Sequence, residues 1–461
     1  MRWRPDQTAE RAVRLCRADG CVAIVTDESE ANLRWANNSH TTGGVSTSRQ
    51  LTVIATVDAG SGTRVGVVSR RGDLDSELAA AVELAELAAR AAEPAEDAQP
   101  LVAGDGVAGD WEAPVAETSM DEFAELVPAL GDAFALAGSG RTLLYGYAEH
   151  RARSVFLASS SGVRLRADHV GGYFELTGRS VDHQRSAWAN SAGDLGGGAL
   201  AGRHAEVDQR LRWAGRRVEL PPGRYPVLLP PAAVADLVTQ LYRAAGAREA
   251  VEGQSVFSAR DGATRVGERL TAAPLALRSN PAEPGVECPP FLVAPGTDPL
   301  ASVFDNGLPV GATAWIDDGK LRALVQTRHS AALTGMPLTP HVDNLVLEEA
   351  GASGTLGSLV ADTAYGLLLT TLWYIRDVDL PTLLLTGLTR DGVYLVEHGE
   401  IVGAVNNFRF NESPVDLLGR VTGVGATVRT RARESGEAFS GCAMPPMRVA
   451  DFCMSSVSRA I

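Results

Sequence analysis

The chain has 461 residues, 45% of them hydrophobic and 21% charged, with a formal net charge of −14. That length exceeds one ordinary hydrophobic core and predicts a globular protein of two domains. The acidic balance argues against a nucleic-acid partner, whose phosphates need clustered Lys and Arg, and no apolar run reaches the roughly 18 to 20 residues that span a bilayer.

Met1–Asp6 carries positive charge with no apolar stretch behind it, so no secretory signal is expected and the predicted location is cytoplasmic. The five cysteines, Cys16, Cys21, Cys288, Cys442 and Cys453, are odd in number and scattered, without Cys-x-x-Cys. They read as reduced thiols rather than a disulfide framework or a zinc knuckle.

Along the chain, Ala9, Ala12, Val13 and Cys16 share one face of a first helix, which Gly20 ends before a strand at Cys21–Val25. Leu51–Val57 and Arg64–Ser69 flank a Gly-rich loop and predict a hairpin. Asp73–Arg90, rich in Ala, Leu and Glu, predicts a helix. Prolines and glycines mark Glu93–Thr118 as a loop, and Ser119-Met-Asp-Glu122 has the capping-box pattern that opens a helix through Leu130. Four strands of an antiparallel sheet are expected at Val155–Leu157, Val163–Leu165, Tyr173–Thr177 and Ser186–Trp188, before a break at Gly193–Gly198. The richest basic cluster, Arg210–Arg217, reads as a solvated strand or loop face.

Pro221-Pro-Gly-Arg-Tyr-Pro226 is the expected boundary between an N-terminal domain, 1–220, and a C-terminal domain, 221–461. A buried strand, Val227–Leu229, then leads through Pro230-Pro231 into a helix with the apolar stripe Val234, Leu237, Val238, Leu241 and Tyr242. Further strands are predicted at Leu308–Ile316, Leu321–Gln326, Leu383–Leu388, Gly392–Val396 and Val421–Arg429, with turns at Asp317-Asp-Gly319 and Arg390-Asp-Gly392. Gly351–Leu367 holds a short helix. The expected class is α+β: an N-terminal α/β domain with an antiparallel sheet, then a mostly-β domain with a curved, barrel-like antiparallel sheet and a few helices.

Motifs for chemistry are sparse. Gly104-Asp-Gly-Val-Ala-Gly109 has the letters of a dinucleotide fingerprint, but it lies in an acidic, Pro-rich loop rather than between strand and helix, so it reads as loop. No spacing singles out a Ser/His/Asp triad, whose members need not be close in sequence. A helical zinc peptidase site puts two imidazoles on one helix face with a general-base Glu between them, and no two of the eight histidines are four or five residues apart. The weak metal candidates are His341 and Asp343, which would share a face if the segment were a strand, with His329 and Cys442 brought in by the fold.

Several segments, in order, resemble the TldD/PmbA (TldD/TldE) metallopeptidase family. They are Ala31-Asn-Leu-Arg-Trp-Ala-Asn-Asn38, the Asp73–Arg90 helix, Ser159-Ser-Ser-Gly162, Pro222-Gly-Arg-Tyr-Pro-Val-Leu-Leu-Pro230 and Val303-Phe-Asp-Asn-Gly307 with Ile316-Asp-Asp-Gly-Lys-Leu321. The C-terminal part adds the Gly399-Glu-Ile401 hairpin between Gly392 and Val405, Asn406–Pro414, and Ser440–Val449 with its late cysteine, Cys442. In the family's catalytic branch, the resemblance implies, the helix after the Pro-Gly-x-Tyr-Pro strand carries His-Glu-x-x-x-His and the late Cys completes a zinc site. Here that helix reads Ala232-Ala-Val-Ala-Asp-Leu-Val-Thr-Gln-Leu-Tyr-Arg243, with Asp236 its only acid and no imidazole. The chain thus resembles the TldE/PmbA branch, which lacks the zinc motif.

What the resemblance implies is a non-catalytic subunit, with no catalytic residue and no metal or other cofactor of its own. Its partner would be a TldD-like, zinc-bearing subunit. The substrates would be unfolded peptides or modified precursor peptides. One alternative is a homodimeric peptide-binding or assembly protein without protease activity. Another is a hydrolase with a relocated site around His329, His341, Asp343 and Cys442.

Overall fold

The computed structural model describes residues 3–72, 74–104, 110–436 and 439–458. Helix α1 (Pro5–Leu15) begins on a proline, whose missing N–H costs nothing in a first turn, and ends at Cys16. Strand β1 (Gly20–Ala36) continues far past the predicted Val25, and β2 (Ser39–Asp58) and β3 (Thr63–Arg71) form the expected hairpin, with Asp58 opposite Thr63. Helix α2 (Leu74–Ala91) follows.

The capping-box expectation needs correction. Ser119 accepts from the Asp121 amide at 3.1 Å and caps a 3-10 turn, Met120–Phe123, whereas helix α3 starts at Leu126 and runs to Ser139. Two predicted strands are one: β4 (Thr142–Ser159) pairs along its length with β5 (Arg164–Ser180), which merges Val163–Leu165 with Tyr173–Thr177, and β6 (Ser186–Ala192) completes the sheet. The first half of the basic cluster, Arg210–Trp213, closes helix α4 (Gly197–Trp213), and the rest is a turn leading to a short strand. Arg210 is buried there, pairing with Glu206 one turn back and donating to the Trp188 carbonyl.

The sheet order is β3-β2-β1-β4-β5-β6. Successive side chains of a strand point to opposite faces, and β1 shows the consequence. Its odd positions Cys21, Ala23, Val25, Ala31, Leu33 and Trp35 are apolar and buried. The first three lie under α1 and α2, the last three under α3 and α4. On the even face, Val22 and Ile24 pack with Phe291, Val303 and Phe304 of the C-terminal half, whereas Thr26, Glu28 and Glu30 face a cavity.

The C-terminal half holds two sheets around one large core. The first runs, in spatial order, Lys320–Leu321, Thr313–Asp317, Leu275–Ser279, Asn344–Glu349, Gly441–Met444 and Val428–Thr430. The second has ten strands and takes in β7 (Arg217–Val218) at one edge and β8 (Gly223–Leu229) in its middle. Its path ends at Leu372–Asp379 on the far edge, so it curves without closing into a barrel. Helix α5 (Pro231–Arg243) follows β8 and buries the predicted stripe. Only Thr313–Asp317 and Lys320–Leu321 of the first two predicted C-terminal strands form, and Val421–Arg429 splits into Val421–Val424 and Val428–Thr430. The Asp-Gly and His-Gly turns hold: Asp318, Asp391 and His398 each take a positive φ ahead of a positive-φ glycine. Among the described residues, no helix is long and apolar enough to cross a membrane.

Candidate functional site

The polar stretch of the N-terminal sheet faces a cleft that is partly open to solvent. Thr26, Glu28 and Glu30 of β1, with Glu149, Arg151 and Arg153 of β4, form one wall of a cavity of about 920 Å³. The opposite wall is the C-terminal half: Thr239 of α5, the segment Arg429–Ala432, and Ser440–Cys442. The cavity therefore lies between the two halves of the molecule.

Most of its charges are paired. Arg431 donates to Glu149 at 2.6 Å and stacks on Tyr173, with 4.4 Å from guanidinium to ring centroid. Arg151 reaches Glu30 and Glu149, each at 3.2 Å. Burial alone would push the Glu149 carboxyl up, but Arg431, Arg151 and the Tyr147 hydroxyl together hold it below the usual range. The segment carrying Arg431 continues as a strap. Its Arg433 pairs with Asp391 at 2.6 Å and lies over the rings of Trp188 and Trp373, at 4.6 and 5.2 Å.

Three of the four sequence candidates line this cavity: His341, Asp343 and Cys442. The predicted strand pairing of His341 with Asp343 does not occur, because the strand begins one residue later, at Asn344. Asp343 is bound to Ser440, accepting from its hydroxyl at 2.5 Å and from its amide at 3.3 Å. His341 packs on Tyr242 and stacks on Phe439, and burial pulls its pKa down. Cys442 donates its thiol to the Thr430 carbonyl at 3.2 Å, and burial pushes that thiol up to about 12. His329 stands apart on the short helix Arg328–Thr334, away from the cavity lining.

Helix α5, where the resemblance locates a metal, carries a different device. Asp236 is 1% exposed and accepts from three backbone amides of the strap, Arg433 at 3.3 Å, Glu434 at 2.9 Å and Ser435 at 3.4 Å. Zinc requires deprotonated donors converging on one point. The only carboxylate on α5 is already engaged, the nearby thiol is held protonated, and α5 offers no imidazole. Among the described residues no three His, Cys, Asp or Glu side chains gather as a ligand set. The residues present do not fit zinc.

Sequence reasoning missed the residues that shape the cavity. Thr239, Glu149, Arg153, His169, Arg429 and Arg431 drew no attention, although Thr26-x-Glu28-x-Glu30 and Glu149-x-Arg151-x-Arg153 carry the signal. Polar residues on alternate positions of long strands whose other face is apolar mark a wetted sheet face. Of the Gly104–Gly109 pattern only Gly104 is described; it packs against the Gly162-Val163 turn, where an added Cβ would come within 2.7 Å of Val163 backbone. Residues 105–109 lie outside the described residues.

The family model for the PmbA/TldA metallopeptidase C-terminal domain matches residues 222–456. Among solved structures, the chain is similar to TldE from Thermococcus kodakarensis, with 17% identity, 97% of this chain and 99% of that one covered, and a TM-score of 0.77. It is also similar to a putative modulator of DNA gyrase from Thermotoga maritima, with 17% identity, 97% and 99% coverage and a TM-score of 0.74. A putative modulator of DNA gyrase from Bacteroides thetaiotaomicron matches at 15% identity, with 98% of each chain covered and a TM-score of 0.74. No curated protein matches the chain in sequence.

Proposed function

The chain belongs to the TldD/PmbA metallopeptidase family, and from that premise we propose that it is a TldE/PmbA-like, non-catalytic subunit of a heteromeric zinc peptidase. The observation that carries this reading is the use made of helix α5: Asp236 anchors a backbone strap, and the nearby Cys442 remains a hydrogen-bonding thiol. Proteolysis then belongs to a zinc-bearing, TldD-like partner. This chain contributes a wall and a cavity to the space in which an unfolded or precursor peptide is handled. The edge strand Val428–Thr430, whose neighbours Arg431 and Ala432 also line the cavity, offers main-chain groups to which an extended peptide can add.

The test is co-expression with a zinc-bearing family member from the same genome. We expect the two to co-purify, with zinc bound at one equivalent per heterodimer and peptidase activity dependent on both chains. A partner that ignores this chain and cleaves peptides equally well without it would overturn the reading.

A further inference from the structure

Resting on that functional reading, the cavity itself indicates what kind of peptide it takes. The whole chain carries −14, so its long-range field disfavours acidic ligands. Inside the cavity five arginines face five carboxylates, so the lining is formally balanced, but the pairing is uneven. Glu28, Glu30 and Glu149 are paired with Arg151 and Arg431, Asp168 with Arg166, and Asp343 is held by Ser440. Arg71, Arg153 and Arg429 remain: all three are exposed lining residues, and among the described residues none sits in an ion pair or donates a side-chain hydrogen bond. Arg153 stands directly opposite the half-buried His169 in the β4–β5 pair and Arg429 lies beside the same histidine across Gly171, so the three groups form one corner, with the Asp343 carboxylate also acting on His169. The carboxyl of Glu287, the nearby acid, is held below the usual range by backbone amides first, with Arg429 and His169 adding to the effect.

That corner is shaped for access. Gly193 has φ of 88°, and a Cβ there would stand 2.2 Å from the Arg429 guanidinium, so only glycine lets the cation lie against the end of β6. A Cβ on Gly171 would meet His169 at 3.2 Å and Arg429 at 3.8 Å.

The floor is polar and unsatisfied. Thr239 is 1% exposed and lines the cavity, yet among the described residues its hydroxyl has no partner. A helical threonine ordinarily returns its hydroxyl to the carbonyl one turn back, and this one does not. His341 Nδ1 is likewise buried on the same lining without a partner among the described residues. Buried polar groups left unpaired are costly, so each wants a ligand atom or a water.

We infer that the cavity binds an extended acidic peptide, its carboxylates against Arg153 and Arg429 and its main chain against Thr239 and His341. The experiment is fluorescence anisotropy on the full chain with two labelled, unstructured peptides, one bearing glutamates and the other glutamines at the same positions. We expect the glutamate peptide to bind about tenfold tighter, with the advantage shrinking as salt is added. The double variant R153Q/R429Q should remove that preference and leave the glutamine peptide unchanged. Thr239→Val, which keeps the shape and deletes the hydroxyl, should weaken both peptides by about threefold to tenfold.

Equal affinity of the wild-type chain for the two peptides would overturn the inference, as would a preference that survives R153Q/R429Q. A Thr239→Val variant with wild-type affinity would overturn the role of the floor. Co-purification with the zinc-bearing partner is read separately on the same proteins. Loss of the complex with acidic preference intact would sink the functional reading alone, and the reverse would sink only this inference.

Discussion

At Asp236 a carboxylate in the protein interior faces three backbone amides and no cation at contact distance. Burial outweighs those amides and pushes its pKa up to about 7. In the unfolded chain an aspartate titrates near about 3.9. Between those values the folded state keeps a proton that the unfolded state has released, so stability falls as pH rises through the window. The urea midpoint of the wild type should therefore drop between pH 5 and pH 8 relative to that of Asp236→Asn, which has nothing to titrate; parallel profiles would count against this assignment. Asp236→Ala should cost about 2–3 kcal/mol at pH 5, because it strands the strap amides without an acceptor, and less at pH 8, where the wild type has lost its titrating contribution. Cys442, one strand away, illustrates the same effect: burial holds its proton on and leaves it a hydrogen-bond donor rather than a ligand.

At the scale of elements, packing distances decide what composition only suggests. Helix α2 crosses β3 at Gly66, where a Cβ would stand 2.2 Å from the Ala85 carbonyl oxygen and 2.3 Å from the Ala89 amide. Gly66→Ala must push the helix off the sheet. A loss of about 2–3 kcal/mol is expected, as for other overpacked interiors, and a thermal-unfolding midpoint within a degree of wild type would refute it. The alternation in β1 and β4 works at the same scale. In both strands the outer face is apolar under helices at each end and polar but partnered in the middle, at Asp27 and Ser29 and at His150 and Ser154, while the inner face changes from core to cavity partway along. A strand buried on one face throughout keeps its register even where the other face is wet.

Across the whole molecule, the strap from Val428 to Gly436 ties the halves together. Arg431 reaches Glu149 of the N-terminal sheet, and Asn190 of β6 donates to the Arg431 carbonyl at 3.3 Å. Arg433 joins Trp188 of β6 to Trp373 and Asp391 of the ten-stranded sheet, and Asp391 also accepts from Ser186 at 2.7 Å. Asp391 is 3% exposed, so removing Arg433 leaves its buried charge to the more distant Arg390, at 3.8 Å. Arg433→Ala is expected to cost about 3 kcal/mol and to speed proteolysis between the halves; unchanged thermal stability and protease resistance would exclude a tie there. Because Asp236 holds the same strap from the other side, Arg433→Ala and Asp236→Ala should be less than additive.

Features set by near neighbours were legible from the chain. The stripe of α5, the hairpin from β2 to β3 and the turns at Asp318-Gly319 and His398-Gly399 depend on residues a few positions apart, and the structure has each of them. The missing imidazoles of α5 are a property of composition alone. What only the tertiary structure decided involves partners far apart in sequence. Asp236 meets amides 197 to 199 residues away, Glu149 meets an arginine 282 residues away, and neither encounter leaves a local pattern. The same holds for Arg210, whose cluster looked solvated until helix α4 turned it inward. It also holds for His329, which the fold leaves outside the cavity lined by His341, Asp343 and Cys442. Periodicity is written by each residue's own neighbours, whereas a site is written by which faces the sheets turn toward each other.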